Sequence, residues 1–248
     1  MWLGAQRIVH RSLELLRADE IKKECEYAVK QKGKNTCLED DFRSGLSGRR
    51  FKTILADPPW QFTNRTGKVA PEHRRLNRYA TMTKADICSL PVSEHATDTA
   101  HLYLWVPNAL LPDGLEVMKA WGFEYKSNIV WHKLRKDGGS DGRGVGFYFR
   151  NVTEILLFGI RGKNARTLQP GRSQVNYIGA RKREHSRKPD EQYDLIESCS
   201  QGPYLELFAR GVREGWTSWG LQADGSYTPT WKTYPYNSSV KDEEEITA

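Results

Sequence analysis

The chain has 248 residues, 38% of them hydrophobic and 28% charged, a globular composition with enough apolar material for one sizeable core. Lysine and arginine outnumber the acids 38 to 31, leaving a net charge of +7, a balance that favours an anionic partner such as nucleic acid. Cys25, Cys37, Cys88 and Cys199 make no C-x-x-C pair, and no apolar run approaches the ~20 residues of a membrane span. Composition therefore argues against a disulfide scaffold, a cysteine-based zinc site and a spanning helix. The first twenty residues are interrupted by charge before an apolar signal segment can form, so an intracellular, cytoplasmic protein is expected.

Residues 6–32 carry Ile8, Leu13, Leu15, Leu16 and Ile21 at helical spacing and predict one or two helices, stopped at Lys32-Gly33-Lys34-Asn35. The apolar run 51–56 then predicts a buried strand that Asp57-Pro58-Pro59 halts. Further strands are expected at 101–106, 126–131, 154–160 and 204–208. Helices are expected at 110–121 and 189–200, the first stopped by Gly122 and the second by Gly202-Pro203. Strands alternating with helices imply an α/β fold, a mostly parallel sheet with helices on both faces. Two loops, 61–78 and 134–150, are expected over the sheet edge, where such folds bind ligands. From Tyr227 onward the chain reads as a flexible acidic tail, so the expected units are an N-terminal helical extension (1–36), one domain (37–226) and the tail (227–248).

The most informative stretch is Asp57-Pro58-Pro59-Trp60, directly after the apolar strand. The lone pair of an exocyclic amine such as adenine N6 is delocalised into the ring, so the amine is a poor nucleophile. A catalyst can hold both N–H groups with acceptors and leave the lone pair aimed at a methyl donor. The Asp57 carboxylate is one acceptor, and the Pro58 carbonyl, in a turn stiffened by Pro58 and Pro59, is the other. Trp60 offers a flat surface on which a base that has left its helix can stack.

In this setting the chain resembles the MT-A70 methyltransferases. The resemblance runs from about Asp41 to Gln222. Its pieces are Ile54-Leu55-Ala56 with the Asp-Pro-Pro-Trp turn; Tyr79 followed by Thr81-Met82; Leu104-Trp105-Val106-Pro107-Asn108; Ile129-Val130-Trp131-His132-Lys133; Ser186-Arg187-Lys188-Pro189-Asp190-Glu191; and Leu205-Glu206-Leu207-Phe208-Ala209-Arg210. The last three pieces resemble bacterial and phage members more than the eukaryotic subunit. The resemblance implies a Rossmann-like methyltransferase fold in which the catalytic motif precedes the main cofactor-binding strand, with S-adenosylmethionine as cofactor. It implies that Asp57 meets the cofactor's amino group as well as the target amine, that Lys188 neutralises its carboxylate, that Glu206 and Arg210 lie near its ribose, and that Phe208 also binds the cofactor. It further implies that Asp41 and Phe42 contact its adenine, that Gln222 forms the far wall, and that Tyr79 gates the reaction centre. In two places the chain departs from the eukaryotic pattern: the stretch Gly211–Gly215 is short, and Leu221 replaces a polar residue.

The expected activity is methylation of adenine N6 in nucleic acid, DNA before RNA. Cytosine N4 as the acceptor, or a non-catalytic partner subunit of the same family, remain alternatives, and a homo- or heterodimer is an open possibility. Arg65, Lys68, Arg74, Arg75 and Arg78 follow the catalytic turn, and together with Lys133, Arg143 and Arg183 they are the expected phosphate contacts. Glu154, at a strand start, is read either as lining the site or as a plain strand-end carboxylate.

Overall fold

The computed structural model of the protein describes residues 38–62, 81–142, 148–182 and 187–223. The expected N-terminal helices, most of the first basic loop and the acidic tail lie outside the described residues.

A helix over residues 38–46 (α1) leads into β1 (Phe51–Ala56). There follow α2 (Lys84–Ser89), β2 (Ala96–Val106), α3 (Leu111–Ala120), β3 (Glu124–Leu134), β4 (Thr153–Arg161), β5 (Tyr177–Arg181), α4 (Glu191–Cys199), β6 (Tyr204–Leu207) and β7 (Trp216–Trp219). The seven strands form one sheet in the order β5-β3-β4-β2-β1-β6-β7. β1 runs parallel to β2 and β6, β6 parallel to β7, and β3 parallel to β5. β4 pairs antiparallel with both β2 and β3, so six strands point one way and β4 alone points back. The sheet is the mostly parallel, Rossmann-like one expected.

Alternation along each strand divides the core between two faces. Ile54, Leu102, Leu104 and Leu157 pack with Phe42 and Leu46 of α1, Ile87 of α2, and Val117 and Met118 of α3. Leu55, Tyr103, Trp105, Trp131 and Leu156 pack with Leu195, Ile196 and Cys199 of α4. Helices thus cover both faces. α4 turns the stripe Gln192, Leu195, Ile196 and Cys199 inward, the i, i+3, i+4, i+7 pattern of a half-buried helix. α2 is short but fixed at its start by a capping box between Thr83 and Asp86.

This topology fixes where a ligand belongs. From β1 the chain moves to β2 on one side; from β6 it moves to β7 on the other. The crevice beyond the C-terminal ends of β1 and β6 is therefore the topological switch point, the usual ligand position in open α/β sheets. Because β4 is reversed, its first residues join the same edge.

Candidate active site

Strand alternation sends Asp57, one residue past β1, to the α4 side, together with Lys133 of β3, Glu154 of β4 and Glu206 of β6. Lys188 enters from the segment before α4. Its Nζ lies 3.0 Å from Asp57 Oδ1 and 3.7 Å from Glu154 Oε1, and Lys133 Nζ lies 3.3 Å from Glu154 Oε2. The four charges form a chain, Asp57–Lys188–Glu154–Lys133, whose formal charges cancel. Lys188 also rests 5.5 Å over the Trp105 ring, and Lys133 5.0 Å over Trp131, contacts that favour a partly desolvated cation.

Burial and neighbours pull these groups in different directions. Crowding pushes the Asp57 carboxyl above its ordinary range; the Lys188 ammonium draws it back and the Glu154 charge pushes it further up. Burial also acts against the ionised Glu154, but Lys188 and Lys133 outweigh it and hold this carboxyl below the usual range. Lys188 is held above its ordinary value, because Asp57 and Glu154 more than offset its burial. Lys133 falls below its ordinary value, chiefly from burial. Glu206 is pushed up to about 7 by burial, with the nearby Asp57 charge adding to the effect, although the Tyr193 hydroxyl donates to it at 3.0 Å.

The Asp-Pro-Pro-Trp turn is held by one hydrogen bond of its own backbone and by two with Met82. The Trp60 N–H donates to the Pro58 carbonyl at 2.8 Å, the Met82 N–H to the Pro59 carbonyl at 2.9 Å, and the Gln61 N–H to the Met82 carbonyl at 3.2 Å. The Pro58 carbonyl thus keeps one lone pair. On the other side of the crevice, Phe208 adopts a left-handed backbone, φ 61°, immediately after β6. Arg210 donates from Nε to Gln222 Oε1 at 3.1 Å. Gly220 lets β7 leave close to this turn, since a Cβ there would stand 2.7 Å from Ala209 N.

Some of the expected site residues lie together: Asp57 meets Lys188, the charges of Arg210 and Glu206 lie within reach of Asp57, and Arg210 pairs with Gln222. Three others lie differently from expectation. Trp60 is only 7% exposed and donates from Nε1 to the Trp105 carbonyl at 2.9 Å, so its ring is a core element beneath the turn and not an open stacking platform. The cause is its apolar bulk, which joins the core cluster that holds Leu104 and Val106 of β2. Phe42 is fully buried edge-on against Trp219 and His95, because the inward stripe of α1 carries it, while Asp41 beside it faces solvent. Lys133, expected on a phosphate rim, has a side chain only 14% exposed and belongs to the buried charge chain, because strand alternation places it beside Trp131 on the covered face. Tyr79, Arg65, Lys68, Arg74, Arg75, Arg78, Arg143 and Arg183 lie outside the described residues.

The structure adds residues that sequence reading passed over. Trp105 donates from Nε1 to Gln192 Oε1 at 2.7 Å and accepts the Trp60 indole N–H at its backbone carbonyl, so one residue joins the turn, the sheet and α4. Tyr193 orients Glu206. The buried stripe of α4 was a signal for Gln192, but nothing in the sequence pairs Tyr193 with a carboxylate thirteen residues on. Glu154 takes the site-lining alternative.

A family model described as MT-A70 matches residues 51–222. The N(6)-adenosine-methyltransferase MT-A70-like of Arabidopsis thaliana is 31% identical over 194 residues, covering 76% of this chain and 26% of that protein. The N(6)-adenosine-methyltransferase catalytic subunit METTL3 of Homo sapiens is 31% identical over 182 residues, covering 71% and 29%. The chain thus spans between a quarter and a third of the length of these eukaryotic relatives. The Type II methyltransferase M.MunI of Mycoplasma sp is 26% identical over 211 residues, covering 78% of this chain and 87% of that protein.

Proposed function

The chain belongs to the MT-A70 family, and on that premise we propose that it transfers a methyl group from S-adenosylmethionine to the exocyclic N6 amine of adenine in nucleic acid. The observation that carries the reading is Asp57, held 3.0 Å from Lys188 at the switch point between β1 and β6. DNA is the polymer proposed first, because the Mycoplasma Type II methyltransferase is matched over most of its length.

The residues fit the cofactor by the chemistry of their donors and acceptors. Lys188 offers a cation for its carboxylate and Asp57 an anion for its ammonium. Glu206 uses part of its acceptor capacity on Tyr193 and keeps the rest for ribose hydroxyls. The Arg210–Gln222 pair closes the far side. When bound, S-adenosylmethionine supplies an electrophilic methyl carbon. The protein's part is orientation: Asp57 accepts one N–H of the amine, the remaining lone pair of the Pro58 carbonyl accepts the other, and the amine lone pair is left facing the methyl group. Lys188 keeps Asp57 ionised against its crowding. Asp57, with its carboxyl drawn above the ordinary range, is also placed to take the proton the methylated nitrogen sheds.

The test is to incubate the protein with S-adenosylmethionine labelled in the methyl group and matched DNA and RNA pools, then digest and separate the nucleosides. Label in N6-methyladenine supports the reading. Label in N4-methylcytosine would move the reaction to the other amine, and cofactor binding without transfer would make the chain a non-catalytic family member.

A further inference from the structure

We propose that Tyr148 and Phe149 form a stacking contact for an unpaired base next to the target nucleotide. This rests on the proposed function, and it concerns a surface outside the methyl-transfer crevice. Tyr148 is 94% exposed and Phe149 85%, the most exposed aromatic side chains among the described residues. Single apolar residues on a surface are ordinary, but two adjacent aromatic rings left in water mark a contact site.

Their place supports a nucleic-acid partner. The Lys133 N–H donates to the Val152 carbonyl at 2.8 Å, and Asn108 Nδ2 donates to the Thr153 carbonyl at 3.2 Å. The segment is thereby pinned at the catalytic edge just before Glu154, which meets Lys188. Phe149 lies five positions before Glu154, a reach of at most about 18 Å, so the rings can meet nucleotides flanking a base in the crevice. The chemistry agrees with the position. From Gly142 to Val152 the sequence has no acidic residue, and the exposed Arg150 follows the two rings. Every base has a π-face, so aromatic rings bind unstacked bases without reading sequence, while an adjacent arginine suits the phosphate. An enzyme that must take adenine out of a stack gains from holding the disturbed neighbour.

The test compares wild type with the double variant Tyr148→Ala and Phe149→Ala. The probe is a fluorescein-labelled 30-nucleotide single strand of mixed sequence, read by anisotropy across a salt series, with calorimetry on S-adenosylmethionine and sedimentation of both proteins. We expect a tenfold or greater loss of affinity for the strand, the scale of base–aromatic stacking. Cofactor affinity should stay within about twofold, and the salt slope should be unchanged because aromatic contacts release no counterions. Unchanged strand affinity would overturn the proposal. So would an altered salt slope, or a wild-type dimer that the variant dissociates while strand affinity is kept. A wild type that transfers no methyl group overturns the function reading instead, and the stacking contact then stands or falls on the affinity measurement alone.

Discussion

At the scale of single residues, the site depends on keeping Asp57 ionised where burial opposes it. Lys188 is the principal cation on that carboxylate, and an opposite charge at this range favours the ionised form. Lys188→Met should therefore leave Asp57 protonated over more of the working range, and the acid limb of the rate–pH profile should move to higher pH. Rates from pH 5 to 9 at saturating cofactor test this; a profile of unchanged shape would confine Lys188 to cofactor binding. Glu206 gives a separate handle, through stability. Its carboxyl is raised to about 7 in the folded protein, so the folded state holds a proton that the unfolded chain releases near 4.3. That contribution is fully present below the unfolded value and is lost as the pH rises through about 7. Glu206→Gln should flatten the decline of melting temperature across this window. Trp60 now carries a different expectation from the one its sequence position suggests. Trp60→Ala removes a buried indole and leaves the Trp105 carbonyl without its donor, at a cost of roughly 3–5 kcal/mol. Denaturant unfolding should show that loss, with cofactor and nucleic-acid binding falling together.

At the scale of elements, the proposed catalytic edge is built by strand ends that helices hold in register. α3 packs onto β2 through Gly114, where a Cβ would stand 2.5 Å from Val106 Cγ2 and 2.8 Å from Cγ1. Val106 precedes Pro107 and Asn108, and Asn108 anchors the start of β4. Alanine at position 114 gains about 1 kcal/mol of helix propensity, but overpacking a β-branched neighbour costs typically 1–3 kcal/mol. The clash should win, and Gly114→Ala should lower both stability and turnover; a more stable variant with full activity would show that α3 can move without disturbing the edge. The legibility of the elements followed their burial. β1 and β4 could be read because Ile54-Leu55-Ala56 and Ile155-Leu156-Leu157-Phe158 are short continuous apolar runs, and β6 because its apolar residues alternate about Glu206. β5 was missed because Tyr177 is half exposed and polar residues surround the short strand; β7 was missed because four residues, Trp216–Trp219, alternate too briefly to show a period. α1 and α2 were missed because α1 shows only Leu38, Phe42 and Leu46 as its apolar stripe, while the six residues of α2 owe their start to a cap.

At the scale of the whole molecule, the motifs could be read because the chemistry needs particular residue types in a particular order, and the sheet order then brings Asp57 and Glu206 side by side across 149 residues of sequence. The partners of Lys188 could not be read. Its tie to Glu154 depends on β4 running backwards, which places a strand start at an edge otherwise made of strand ends, and no local pattern announces that. The net charge of +7 leads to an expectation about nucleic acid. Arg74→Ala with Arg75→Ala, in the basic stretch that follows Trp60 in sequence, should reduce affinity for all sequences alike. The slope of log affinity against log salt should fall by roughly 0.7–0.9 per arginine between about 50 and 200 mM. An unchanged slope would turn that loop toward solvent or a protein partner.

The most direct test of the central claim is mass spectrometry of nucleosides from DNA and RNA incubated with S-adenosylmethionine and either wild type or Asp57→Ala. Wild type should produce N6-methyladenine in at least one polymer. The variant should produce it at least about 10²–10³-fold more slowly, the cost of removing one preorganised transition-state contact, while its melting temperature stays close to that of wild type. Methylated cytosine as the sole product, or an Asp57→Ala protein that methylates adenine at the wild-type rate, would contradict the account.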